Sequence, residues 1–140
     1  MLTDICTISF VGFLLYLYDI TKDNYYKYCK KNIKVNLTLL LHHISNVFTQ
    51  FGWLSNNKTI LTLYLIIPPL IIVHWNSNNN RCILTEYTNK NCNIDQDSSF
   101  RDLWFTMGIK GKKYTKQFLR TYLIIVWFIA LYKLYKIQKQ

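Results

Sequence analysis

The chain has 140 residues, 51% of them hydrophobic and 16% aromatic, and carries 17 Lys and Arg against 7 Asp and Glu, for a net charge of +10. The length is that of one domain, while this apolar content is unusual for a soluble protein of the size and points to the membrane class. So basic a chain has the charge for binding nucleic acid, but no zinc-knuckle spacing, RNA-binding signature or glycine-rich phosphate loop accompanies it, and no nucleic acid partner is expected.

Four segments approach the roughly 20 apolar residues that cross a bilayer, and the sequence predicts helices over about 5–20, 37–55, 59–75 and 118–135. The expected fold class is therefore all-α: one integral membrane domain over residues 1–140, a bundle of about four transmembrane helices with a kinked third helix and a short interfacial helix. The first segment competes with a signal peptide. No Lys or Arg precedes Lys22 and the chain has one alanine, Ala130, so the basic leader and the small-residue cleavage site are both missing, and a retained helix is expected.

Lysines then cluster, with Lys22, Lys27, Lys30, Lys31 and Lys34 after the first helix and Lys110, Lys112, Lys113 and Lys116 before the last. Charge flanking apolar spans attracts anionic lipid headgroups, about 1 kcal/mol for each basic residue near the surface. If all four segments span, the loops 21–36 and 76–117 share a face and hold twelve of the basic residues, which predicts that this face is cytosolic. Cys29, Cys82 and Cys92 are then expected reduced. The four cysteines form no CxxC pair and no zinc spacing, although a Cys82 to Cys92 bridge is geometrically conceivable.

The second helix, LTLLLHHISNVFTQFGWLS, sets Ser45, Asn46, Thr49 and Trp53 at offsets 3, 4, 7 and 11 from His42, which makes one stripe. Polar groups facing hydrocarbon without partners are costly, so the stripe should point into the bundle. There it either bonds neighbouring helices or forms a functional polar cavity around His42. In the third helix Pro68 and Pro69 deprive the carbonyls of Tyr64 and Leu65 of their amide partners, and a bend is expected. His74 ends that helix. Beyond it Asn79 or Asn80 is expected to cap a short helix whose face carries Cys82, Glu86 and Asn89, with Thr85 beside them. This connector, 76–117, either lies solvated on the headgroups or folds back to close the polar stripe. The candidate pocket comprises His42, Ser45, Asn46, Thr49, His74, Cys82, Thr85, Glu86, Asn89 and, from the last helix, Tyr122. No metal ligand set and no cofactor is predicted.

These residues resemble a bacterial group of small integral membrane proteins of unknown function. Its pattern is a helix histidine with glycine ten residues on, then Cys-Pro-Leu-Thr leading to Glu-Asn, and later Tyr-x-x-x-Phe-Ile-x-His-Tyr-Leu. The matching positions are His42 and Gly52, then Cys82, Leu84, Thr85 and Asn89, then Tyr114, Phe118, Leu119, Tyr122 and Leu123, covering roughly 39–123. Ile83 replaces the proline, the acidic residue sits at Glu86, and Thr121 stands where the pattern has its second histidine. The resemblance implies a membrane fold and no activity. The Ile, Asn, Lys and Tyr bias fits an AT-rich genome, and the chain resembles the divergent forms that giant viruses carry; its location would then be a host or virion internal membrane.

Three functions from different classes fit these readings. The leading one is a non-enzymatic, multi-pass membrane or virion-membrane component acting through the lipid bilayer, anionic headgroups and contacts with its own copies or other membrane proteins. The second is a membrane enzyme or metal- or redox-binding protein using His42, Cys82 and Glu86. The third is an oligomeric ion or proton conduit.

Overall fold

In the computed structural model the protein is predominantly helical over the residues described, which are 1–22, 32–92 and 112–139. The helices are α1 (Leu2–Lys22), α2 (Ile33–Phe51), α3 (Lys58–Ser77), α4 (Ile83–Asn91) and α5 (Lys112–Gln138), with one 3₁₀ turn, Gly52–Leu54, between α2 and α3. Much of the connector lies outside the described residues, as do Cys29, Lys27, Lys30, Lys31 and Lys110 and the side chains of Lys22, Lys112, Lys113, Tyr114 and Lys116.

Three helices, α1, α3 and α5, are long and apolar enough to cross a membrane. The remaining expected span coincides with α2 and the turn after it. At 19 residues α2 has the length, but His42, His43, Asn46 and Gln50 interrupt its apolar run. Two asparagines start their helices: Asn32 Oδ1 accepts the amides of Lys34 and Val35 at 3.1 and 3.4 Å, and Asn57 Oδ1 those of Thr59 and Ile60 at 3.0 and 3.2 Å. Each cap is worth about 1 kcal/mol.

α1 and α2 lie antiparallel. Asp4 meets Ser55 beyond the end of α2, while Tyr16 and Ile20 pack on Val35, Leu39 and Cys92 near its beginning. Between these ends the helices touch closely, because a Cβ added at Gly12 would come within 2.8 Å of the Ile44 Cα. Small residues permit this kind of backbone approach between helices.

α3 and α5 are likewise antiparallel, joined by Leu61, Tyr64, Val126, Ala130 and Leu134 toward one end and by Trp75, Leu119 and Leu123 toward the other. Pro68 and Pro69 lie inside α3, and the carbonyl of Leu65, which Pro69 cannot serve, accepts the Trp127 indole N–H at 2.9 Å. A neighbouring helix thus satisfies a backbone group that proline freed. At the Gly52–Leu54 turn the Lys133 ammonium donates to the carbonyls of Trp53, Leu54 and Ser55 at 3.1, 2.9 and 2.7 Å. Farther along α5, Lys136 and Lys139 lie over the rings of Tyr132 and Tyr135, an arrangement suited to an apolar stem with a charged tip.

Two expectations are corrected at the other end of the bundle. Asn79 and Asn80 do not cap the short helix: both have positive φ, 48° and 61°, a left-handed conformation that asparagine tolerates. They turn the chain after Asn78 closes α3, and Cys82 is the residue at the N-cap position of α4, with no capping hydrogen bond from its side chain. Cys82 is a free thiol whereas Cys92 is disulfide-bonded, so the two do not bridge and Cys92 is not the reduced thiol that the cytosolic assignment requires.

Candidate functional site

α4 runs back along α2, and this brings the start of α4 to the middle of α2. His42, on α2 and 6% exposed, stands with its Nδ1 at 3.7 Å from the Cys82 Sγ and its Nε2 at 3.2 Å from the Asn46 amide nitrogen. Asn46 is one helical turn on, so the same periodicity that buries His42 supplies the group that orients it. Turned about its amide axis, Asn46 would accept from Nε2–H and leave Nδ1 to take the thiol proton. His74, at the end of α3, accepts the Ile83 amide at 3.3 Å through Nε2 and so helps to fix the first turn of α4.

Burial by itself would push the Cys82 thiol up. The hydrogen bond and charge of His42, together with the backbone N–H groups of Thr85 and Leu84, outweigh it, and the thiol lies below its ordinary value. A helix N-terminus and an adjacent histidine are the two surroundings that favour thiolate.

The cluster closes one end of a cavity of about 590 Å³ between α1, α2 and α3, a volume within the usual range for small-molecule sites. His42, Ser45, Asn46, Thr49, His74 and Cys82 all contribute to its wall, but most of the lining is aliphatic: Ile5 and Ile8 from α1, Ile44 from α2, and Ile60, Leu63, Ile67, Leu70 and Ile71 from α3. The α3 stretch from Ile60 to Trp75 makes it about 22 Å long at 1.5 Å per residue. The chemistry is thus a largely hydrocarbon slot with a thiol and two imidazoles at one end and the Asn46 amide and the hydroxyl-bearing Ser9, Ser45 and Thr49 along its α1 and α2 walls.

The other predicted residues are elsewhere. Glu86 accepts from Asn78 Nδ2 at 2.8 Å and faces Arg81 at 3.9 Å, pinning the turn between α3 and α4. Asn89 is buried in the last turn of α4 and the Thr85 hydroxyl is buried without a partner; neither lines the cavity. Tyr122 donates to the Gln50 carbonyl at 2.6 Å and accepts from the Trp53 indole at 3.1 Å, so it secures α5 to the far end of α2. Thr49 turns its hydroxyl onto the carbonyls of Ser45 and Asn46, both at 2.9 Å, and its own carbonyl accepts Tyr64 at 2.8 Å.

Sequence reasoning missed a second polar contact. His43 Nε2 lies 3.2 Å from Asp19 Oδ2, with side chains 0% and 6% exposed, and its Nδ1 has no partner, nor has the Gln50 Oε1. An acidic residue inside the first apolar segment was the available signal. Among the described residues no group of three or more His, Cys, Asp or Glu is arranged to hold a metal ion. No family model matches the chain, and no curated protein and no solved structure matches it.

Proposed function

We propose that the protein is a multi-pass membrane protein that binds the hydrocarbon chain of a lipid-like amphiphile between α1, α2 and α3. In this reading α1, α2, α3 and α5 span the bilayer, α3 is bent at Pro68 and Pro69, and α4 packs along the first half of α2. The observation that carries it is the wall of the cavity, mostly aliphatic along α1 and α3 and most polar at the end where His42, His74 and Cys82 meet, with Ser9, Ser45, Asn46 and Thr49 the polar residues along the rest. An amphiphile has the same gradient. Spanning by α2 is supported by the partners its polar side chains find inside the bundle, Asp19 for His43 and Cys82 for His42.

The activity is binding, so the protein is a non-enzymatic membrane component. His42 and Cys82 anchor separate parts of the pattern seen in the small bacterial membrane family, and their meeting favours that kinship. The composition favours a host or virion internal membrane as the location.

A diazirine-bearing fatty acid, incorporated in nanodiscs with the full chain, tests the reading. Crosslinks should map to α1, α2 and α3 on the cavity side, and Ile67→Trp, which fills the slot, should abolish them. Labelling confined to outward residues such as Ile125 and Phe128, unchanged by Ile67→Trp, would overturn it.

A further inference from the structure

The slot explains where a chain would lie but gives no reason for a thiol at its end. A lipid headgroup needs hydrogen-bond donors or charge, and a half-buried cysteine is a poor source of either. Cys82 is, however, placed as nucleophiles are placed: a base within reach, a further group orienting the base, and an open volume in front of the sulfur. His42 fills the first, Asn46 the second once its amide is turned so that Oδ1 accepts from Nε2–H, and the cavity whose wall includes Cys82 is the third. The surroundings point to the electrophile. Arg120, held by the side-chain oxygens of Asn76 and Asn80, stands where α3 ends, and Arg81, beside Cys82, faces Glu86, so a basic group on the water side suits an anionic carrier while the interior suits an acyl chain.

We propose that Cys82 is an acyl-accepting nucleophile that takes a long-chain acyl group from the thioester of an anionic carrier and holds it with the chain in the slot between α1, α2 and α3. His42 Nδ1 receives the Cys82 proton as Sγ attacks the thioester carbonyl. A new carbon–sulfur bond forms to Cys82, the bond to the carrier sulfur breaks, and the proton on His42 passes to the departing thiolate. One thioester replaces another, with no oxidant or reductant. The proposal rests on the chain-binding reading above, and it turns a reversible ligand into an attached one.

The full chain, purified into nanodiscs, is incubated with alkyne-tagged palmitoyl-coenzyme A, and the labelled peptide is identified by mass spectrometry before and after hydroxylamine. Expected is one hydroxylamine-labile acyl group on Cys82, forming at least about tenfold faster than on Cys6, an exposed cysteine that reports unassisted transfer. His42→Gln should slow acylation of Cys82 by about 100-fold, the size of a general-base contribution. Ile67→Trp should block acylation while leaving alkylation of Cys82 by iodoacetamide intact, which shows that the thiol and its surroundings survive. Cys82 acylated no faster than Cys6, with the fatty-acid crosslinks still in the slot, overturns the acylation and spares the binding. Rapid acylation unaffected by Ile67→Trp, with the crosslinks absent, overturns the slot and spares the nucleophile.

Discussion

Asp19 and His43 form a deeply buried polar pair, and replacing Asp19 by leucine tests how much of the α1 and α2 contact depends on it. The His43 ring is 0% exposed and one of its nitrogens already lacks a partner. Asp19→Leu strands the other nitrogen as well. Leaving a buried group unsatisfied costs about 1–3 kcal/mol in proteins generally, and interhelical hydrogen bonds within membranes average about 0.6 kcal/mol with a maximum near 1.7. The nitrogen already unpaired in the native fold places this case at the upper end, so a loss of about 1–3 kcal/mol is expected. His43→Leu combined with Asp19→Leu removes donor and acceptor together, and the pair should recover part of that loss, because no polar group is then left stranded. SDS-induced unfolding in mixed micelles, followed by circular dichroism, gives all the free energies of the double-mutant cycle, with Leu17→Ala on the exposed face of α1 as a reference near zero. If Asp19→Leu is no more costly than Leu17→Ala, or if the two leucine substitutions simply add, the pair does not hold the helices together.

Carbonate at alkaline pH should leave the protein in the membrane pellet; its recovery in the supernatant would contradict the spans assigned to α1, α3 and α5. Gly12→Val should push α1 from α2, since even one added carbon meets the Ile44 backbone at 2.8 Å, and the same SDS titration should register a loss of about 1–3 kcal/mol; an unchanged midpoint would refute the close contact. The pH dependence of iodoacetamide alkylation should place the Cys82 inflection below that of an ordinary thiol, because a lowered pKa keeps thiolate present at lower pH. His42→Gln should move the inflection upward, and an inflection that stays put would remove His42 as its cause.

Periodicity was informative where one helix decides the outcome. In α2 the spacing of His42, Asn46 and Thr49 is enough to place them on one face, and all three are buried. The same periodicity hid His43, only one residue on and so about a quarter turn away: a second polar face becomes visible only when Asp19, 24 positions earlier in the chain, is known to lie against it. Tyr122 shows the converse error. A tyrosine on an apolar helix reads as a candidate for any polar pocket, and which of several it joins depends on the axial offset between α2 and α5, which no local pattern encodes. The cap of α4 failed for a conformational reason. Asparagine is favoured both as a helix cap and in the left-handed region, and at Asn79 and Asn80 the turn took precedence. The two prolines of α3 were legible as a gap in its hydrogen bonding, whereas the donor that fills it, Trp127, lies 62 positions away.

The two-faced polarity of α2 bears on how the chain enters a membrane at all. A segment with two histidines, an asparagine and a glutamine turned in different directions would be a poor substrate for insertion on its own. In the proposed four-span arrangement, Asp19 and the notch at Gly12 are ready to receive one of those faces once α1 has been made, so the pair can leave the insertion machinery as a hairpin with only the His42 face still unmet. That face waits for α3 and α4, which are synthesised next. Chain order and partner order therefore coincide, and a truncation after α2 should be retained by membrane chaperones or degraded, where one after α4 should not.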